Sequence, residues 1–242
     1  PLVPFIDLEP FLNRVRPLGA ILEPLELAAV TPVLRMFGLL RAHLEGDEDF
    51  PRLNSLIVDL RDPAELRLRL ERSLDEEGHI LDRASPQLAD LRAQVRQLEA
   101  RIRKQLTELV RDQGLSSLLQ DDCITQRSGR WVIPVRLEAR KQISGGVHDV
   151  SRSGETAFVE PLAILQLSNQ LENLVAEVKA EENRILRELS AELRRIAGEL
   201  EAGLRVLVTL DLVQGAAALA DQLQCEPPEI TSGGPIRMVQ GR

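Results

Sequence analysis

The chain has 242 residues, a formal net charge of −8, 43% hydrophobic and 2% aromatic residues, and no tyrosine. That length allows one or two domains with a substantial core, and the leucine- and arginine-rich composition predicts a helical protein with an aliphatic interior. The negative balance excludes a protein coated with basic surface, so a nucleic-acid role has to rest on a local patch.

The first 60 or so residues read as short helices separated by prolines. Leu8 to Arg14 and Pro24 to Leu44 carry apolar residues at helical spacing, and Gly46-Asp47-Glu48-Asp49 marks an exposed turn. Asp62-Pro63-Ala64-Glu65 is a helix start, with aspartate as cap, proline at the first helical position and glutamate at the positive end. Asp75-Glu76-Glu77-Gly78 ends that helix, and His79 to Asp82 reads as a short extended piece. Ser85-Pro86 restarts a helix by the same capping logic. Leu88, Leu91, Val95, Leu98, Ile102, Leu106 and Leu109 then alternate three and four residues apart until the helix ends near Gly114. Such a stripe needs a partner to cover it.

Gln126 to Pro161 differs in kind. Trp131, Ile133, Val135 and Leu137 alternate with Val132, Pro134, Arg136 and Glu138, the period that puts each set on one face of a strand. Val147 to Ser151 and Thr156 to Glu160 read as further strands, and Ser128-Gly129 and Ser153-Gly154 supply tight turns. Pro161 is expected to open a second long helix, whose stripe runs Leu171, Leu174, Val178, Ile185, Leu189, Leu193, Ile196, Leu200, Leu204 and Leu207. Unbroken to Gln224 it would be roughly 95 Å long, with Gly198, Gly203 and Gly215 as places to bend or break. Its first half should run antiparallel to the Pro86–Gln113 helix, and its second half should return to the N-terminal helices. Pro227-Pro228 and Ser232 to Pro235 then stop the helix and form a connector, followed by a short strand at Ile236 to Val239.

The fold class expected is therefore mainly α: a helical core and a long antiparallel two-helix lever with a small antiparallel β clamp at its tip. The divisions are 1–85, first part of the core; 86–120, lever helix one; 121–160, β insert. They continue with 161–200, lever helix two; 201–226, return to the core; and 227–242, a linker. The chain begins Pro1-Leu2-Val3 without methionine, which predicts a piece of something longer. Two lone cysteines, Cys123 and Cys225, fit a reducing cytoplasm better than a disulfide framework or zinc site. No apolar run approaches the roughly 20 residues of a membrane helix, and no signal peptide opens the chain. No membrane partner is expected.

Little here points to catalysis. No phosphate-binding loop occurs, since Gly145-Gly146 and Gly233-Gly234 lack both the lysine and a following helix. His148, Asp149 and Ser151 are hydrolase residue types, but neighbours on a strand point to opposite faces; Asp149 or Ser151 instead suits the Ser153-Gly154 turn. Glu76-Glu77 and Glu181-Glu182 diverge on their helices and read as solvated face. No catalytic, cofactor-binding or metal residue is assigned.

The basic residues of the insert are more informative. Arg127, Arg130, Arg136, Arg140, Lys141 and Arg152 stand with Glu138, Asp149 and Glu155, a local reversal of sign on an acidic chain. They suit contacts to a phosphate backbone. They would equally keep an exposed β tip soluble and block edge pairing. Trp131 and Phe158 are expected inside the module, so no base-stacking platform is foreseen. Arg92, Arg96, Arg101, Arg103 and Lys104 lie among acids on a helix and are not assigned to a site.

The runs GRWVIPV, GGVHDVSRSGETAFVEP and LSNQLENL resemble the lever-and-clamp part of the second bacterial MutS branch, the MutS-two family. That family usually has tyrosine where Trp131 stands and Asn-Asn where Ser168-Asn169 stand. GHILDRAS at Gly78 to Ser85 and LDLVQGAAALA from Leu210 resemble its core helices, and Gly241-Arg242 the opening of the element that leads into its ATPase domain. The resemblance implies an N-terminal core, lever and clamp fragment without the ATPase and Smr domains, non-catalytic by itself. The parent would be a cytoplasmic bacterial homodimer with ATP and Mg as cofactors and a C-terminal nuclease-type domain. It would act on branched or double-stranded DNA, suppressing homologous recombination, and on the rRNA of stalled, collided ribosomes. The resemblance favours nucleic acid as the target of the six basic residues. The competing reading is a coiled-coil scaffold whose β tip binds protein.

Overall fold

A computed structural model describes residues 5–46, 51–58, 60–225 and 232–233. The turn expected at Asp47 to Asp49, the double proline, and the strand at Ile236 to Val239 lie outside those residues. The protein is mainly helical with one four-stranded antiparallel sheet.

Helices α1 (Glu9–Val15), α2 (Pro24–Leu44), α3 (Pro51–Ile57) and α4 (Ala64–Ser73) form a base with the end of α7 (Leu165–Arg195) and the start of α8 (Ala197–Gln222). The start of α2 is fixed by reciprocal bonds between Glu23 and Glu26, with Pro24 in the first turn. Leu27, Leu34 and Phe37 on α2 meet Leu60, Leu70, Leu189, Leu193 and Leu207 in one aliphatic core. Gly203 is required there, because a Cβ would lie 2.6 Å from the Phe37 ring. Helix α4 is not capped as expected: Pro63 occupies the cap position with no side-chain bond. Asp62 instead lies 3.7 Å from Arg67. Gly78, at φ +83°, turns the chain between Leu74 and Ile80 and sits against Leu25, where a Cβ would meet backbone at 2.7 Å.

Helix α5 (Pro86–Val110) begins at Ser85, whose Oγ accepts from the Leu88 amide at 3.0 Å. It packs antiparallel along α7. Ser85 and Arg92 at its start bond Glu181 and Glu182, while Ile102 and Leu106 near its end share a core with Leu167 and Leu171. The two leucine stripes thus face each other, and between the two cores the hairpin is filled by buried Leu91 and by half-buried Val95, Leu98, Leu174 and Val178. After α5, Asp112 caps the four-residue helix α6 (Gln113–Ser116).

Pro161 does not open the second long helix. It is the last residue of a strand, paired with Gly145, and a 3-10 turn over Leu162–Ile164 leads into α7 at Leu165. The long helix breaks at Ile196, with φ −107° and ψ 9°, two residues before the first glycine expected to do so.

The sheet has β1 (Thr125–Arg127), β2 (Arg130–Arg136), β3 (Gly145–Val150) and β4 (Thr156–Pro161) in the order β1-β2-β4-β3. β1 adds to the expected strands. Ser128 and Gly129, at φ 50° and 78°, close β1 on β2 as a two-residue hairpin turn. Trp131, Ile133 and Val135 of β2, with Ala157 and Val159 of β4, pack on Ile102, Leu106 and Leu171 of the helices. Strand β2 is buried on both faces, so its alternation does not give one wet side. Leu137 leaves the strand, starts a 3-10 turn over Leu137–Gln142 and is 46% exposed.

Candidate nucleic-acid interface

Because β2 and β4 pair Ile133 with Val159 and Arg136 with Thr156, the residues between those facing the core share the opposite face of the sheet. Arg127, Arg130, Arg136, Phe158 and Glu160 fall on that outer face. It divides into an end where cations are paired and an end where they are not.

Arg127 stacks on the Phe158 ring, 4.4 Å from its centroid, and lies 3.5 Å from Asp149. Phe158 is half-buried rather than inside the module, since the guanidinium covers its outer side. Arg130 is held more tightly: it donates to Asn169 at 2.8 Å and Glu172 at 2.5 Å on α7, and lies 3.5 Å from Glu160. Glu160 belongs to the charge balance of the insert, although the count of acids read from the sequence left it out. Its carboxylate is 2% exposed and bonds His148 Nε2 at 2.7 Å. A bulge between Val147 and Asp149 brings His148 to that carboxylate. Asp149 turns to Arg127 and the Val150 amide, and Ser151 takes the Thr156 amide and meets Ser153 at the turn. His148, Asp149 and Ser151 therefore have three separate sets of partners.

Arg136, Arg140 and Lys141 come together elsewhere. With Gln120, Leu137, Glu138 and Glu155 they line an open groove of about 910 Å³. Arg136 is oriented by its Nε, which donates to the Leu119 carbonyl at 3.2 Å. The 3-10 turn presents Arg140 and Lys141 to solvent. Neither has an ion-pair partner among the described residues, and nor does Arg152, which is exposed beside the Gly154 turn. The groove thus offers three cations against two carboxylates. Of the six residues expected to form a basic patch, three share this groove, Arg152 stands free, and Arg127 and Arg130 are engaged in the sheet.

The base end of the hairpin uses its charges differently. Glu181 is not on a solvated face: it is 4% exposed, accepts from Ser85 Oγ at 2.6 Å, and takes two bonds from Arg184 at 2.7 Å. The Arg184 bonds, reinforced by Ser85 and opposed by burial, lower its pKa to about 2. Arg92 donates to Asp82 and to Glu182, each at 2.7 Å, and holds the Asp82 carboxyl below its usual range. Arg69 joins α4 to Glu188 and Glu192 on α7. Asp75, Glu77 and His79 bring ligand-type atoms within 4.8 Å of one another around the Gly78 turn, with His79 Nδ1 3.1 Å from Asp75. Glu77 and His79 are exposed there, and the Asp75–His79 bonds account for the arrangement as a turn.

Fold and site together define a mainly helical protein that carries a β module with an exposed basic groove at the end of a helical hairpin. No protein-family model matches the chain. Curated proteins do. All 242 residues align with the Endonuclease MutS2 of Geobacillus kaustophilus at 40% identity and with that of a Geobacillus species (strain WCH70) at 35%, each time over 31% of the relative. The Endonuclease MutS2 of an Anaeromyxobacter species matches 93% of the chain at 38% identity, over 28% of its own length. The resemblance read from the sequence holds: the chain matches MutS2 proteins from end to end, and it spans about a third of the length of those relatives.

Proposed function

We propose that this stretch is the N-terminal core, lever and clamp region of a MutS2-type protein, and that the groove at the β tip holds a phosphodiester backbone. The observation that carries this reading is the convergence of Arg136, Arg140 and Lys141 on one open groove, with no ion-pair partner for Arg140 or Lys141 among the described residues. Guanidinium and ammonium groups left exposed and unpaired are the groups that neutralise phosphates. The relatives' name, Endonuclease MutS2, fits a nucleic-acid target. Within this reading the segments 86–120 and 161–200 form the lever, 121–160 the clamp, and 1–85 with 201–226 the core. The whole protein would be a cytoplasmic, ATP- and Mg-dependent homodimer acting on branched DNA or recombination intermediates, with rRNA of stalled ribosomes a second target of the same backbone chemistry.

The isolated chain has few contacts to offer, so its affinity should fall in the nonspecific range of about 10⁻⁴ to 10⁻⁶ M. Reversal of Arg136, Arg140 and Lys141 to glutamate, with helicity unchanged, should abolish binding of labelled branched and linear DNA at low salt. In the parent chain, each phosphate contact should add roughly 0.9 to the slope of log affinity against log salt. Binding that survives the triple reversal would remove the groove from this function. Binding of a protein partner at the groove, with no salt-dependent DNA binding by the unaltered chain, would favour the scaffold reading.

A further inference from the structure

Phe158 is the aromatic ring of the tip that its hydrophobic core does not enclose. Trp131, the tip's other aromatic residue, belongs to that core with Ile133 and Val135. Phe158 stands between core residues Ala157 and Val159 in the strand, so its side chain lies on the outer face, paired with Pro134 of β2 and Asp149 of β3. The same face carries Thr156 and Arg136, which pair with each other two residues further along, about 7 Å away by the rise of a strand. The ring therefore adjoins the groove. Arg127 covers its outer side, and that cover is lightly held. Arg127 Nε is 3.5 Å from Asp149, Nη1 donates to the Gln126 carbonyl at 3.4 Å, and the Arg127 and Asp149 side chains are 42% and 51% exposed. An ion pair so exposed contributes little, and a guanidinium over a ring at the surface is worth only about twofold to fivefold in population.

We propose that Phe158 and Arg127 form a stacking site for an unpaired nucleobase of the strand whose backbone lies in the groove. This site depends on the nucleic-acid reading of the groove and adds a preference that phosphate contacts alone do not give. The charges around the ring favour a base over a phosphate. Asp149 offsets Arg127 there, whereas Arg140 and Lys141 have no ion-pair partner among the described residues. A flat apolar ring, a planar guanidinium and an accepting carboxylate match a neutral, flat group with an N–H edge, which is what an unstacked base presents. The 4.4 Å between guanidinium and ring leaves no room for a base between them, so Arg127 has to leave the ring as the base arrives. The magnitudes allow that exchange. A base stacked on an aromatic side chain is worth about fivefold to a hundredfold in affinity, more than the contact it displaces, and the freed guanidinium can cover the other face of the base. In a duplex both faces of each base are occupied by its neighbours, so the site selects a single strand, flap or branch point over continuous duplex.

The test places iodouracil in the single-stranded tail of a labelled DNA hairpin and irradiates it with this chain at low salt. The cross-link should map by mass spectrometry to Phe158. The ratio of affinities for the tailed over the blunt hairpin should fall at least about fivefold in Phe158→Ala. If that variant misfolds by circular dichroism, Phe158→Leu, which keeps an apolar side chain on the sheet, serves instead. Arg127→Lys keeps the charge and loses the flat face, and should lower the same ratio about twofold. Reversal of Arg136, Arg140 and Lys141 to glutamate should abolish binding of both hairpins. Cross-links that map only to other residues, or an unchanged ratio in the Phe158 variants, would overturn the stacking site and leave the groove reading in place. A ratio unchanged or raised in Arg127→Lys would overturn the part given to Arg127 and make it only a cover that competes with the base. No salt-dependent binding of either hairpin by the unaltered chain would overturn the groove reading and the stacking site together.

Discussion

The two ends of the hairpin solve the same problem, joining an outer element to two antiparallel helices, with opposite use of charge. At the base, arginines are spent on structure: Arg69, Arg92 and Arg184 each reach two carboxylates, and Arg194 donates to the Val15 and Ala20 carbonyls at 2.6 and 2.5 Å. At the tip, Arg130 serves this way, while Arg140, Lys141 and Arg152 are left to solvent. Desolvated and oriented charges specify packing, whereas exposed unpaired charges contribute little to stability and remain available for a ligand. The contrast separates which arginines should matter to folding from which should matter to binding.

The largest effect should come from the base core. Phe37→Ala removes a ring that is 1% exposed and packs on Gly203, and should cost about 3–5 kcal/mol in helix unfolding followed by far-ultraviolet dichroism. In the tip, Ile133→Ala should cost about 2–4 kcal/mol, and it has its own reporter. The single tryptophan, Trp131, is buried beside Ile133 with Arg103 5.3 Å from its ring centre. If the seam between the two cores, from Leu91 to Leu98 on α5, lets them unfold separately, Ile133→Ala should shift the fluorescence transition further than the dichroism transition. Coincident shifts would show one cooperative unit and break the comparison.

Acid should act next, and at the base. The Glu181 carboxyl ordinarily titrates near 4.5 and is held at about 2 when folded. Between those values the unfolded chain binds the extra proton, so the contribution of Glu181 is complete above about pH 4.5 and falls as pH drops towards 2. Glu181→Gln should flatten that part of the stability profile, measured by urea titration at several pH values; an unaltered profile would show that other carboxylates govern it. The smallest effect on stability belongs to the groove. Arg140→Ala and Lys141→Ala should each change unfolding free energy by less than about 0.5 kcal/mol, while Arg130→Ala, which frees buried Glu160 and the α7 contacts, should cost about 2 kcal/mol or more. Equal costs at Arg130 and Arg140 would erase the distinction between structural and available cations.

Much of this organisation is legible in the chain. Leucines at three- and four-residue spacing dictate α5 and α7 and require that they face each other, because an apolar stripe must be covered. The serine of Ser85-Pro86 caps a helix by local geometry, and Ser128-Gly129 needs only two positive φ angles. The match to MutS2 proteins runs along the whole chain, since residue identity survives in sequence where packing does not. Tertiary structure alone decided how charges are partnered. Adjacent glutamates diverge on any helix, and only the docking of Ser85 on α7 buries Glu181 while Glu182 turns to Arg92. Arg130 and Arg140 are equivalent in sequence, and what distinguishes them is that Asn169, Glu172 and Glu160 approach one, while the other has no ion-pair partner among the described residues. Proximity across tens of residues is set by the fold, and with it whether an arginine is structural or free to bind.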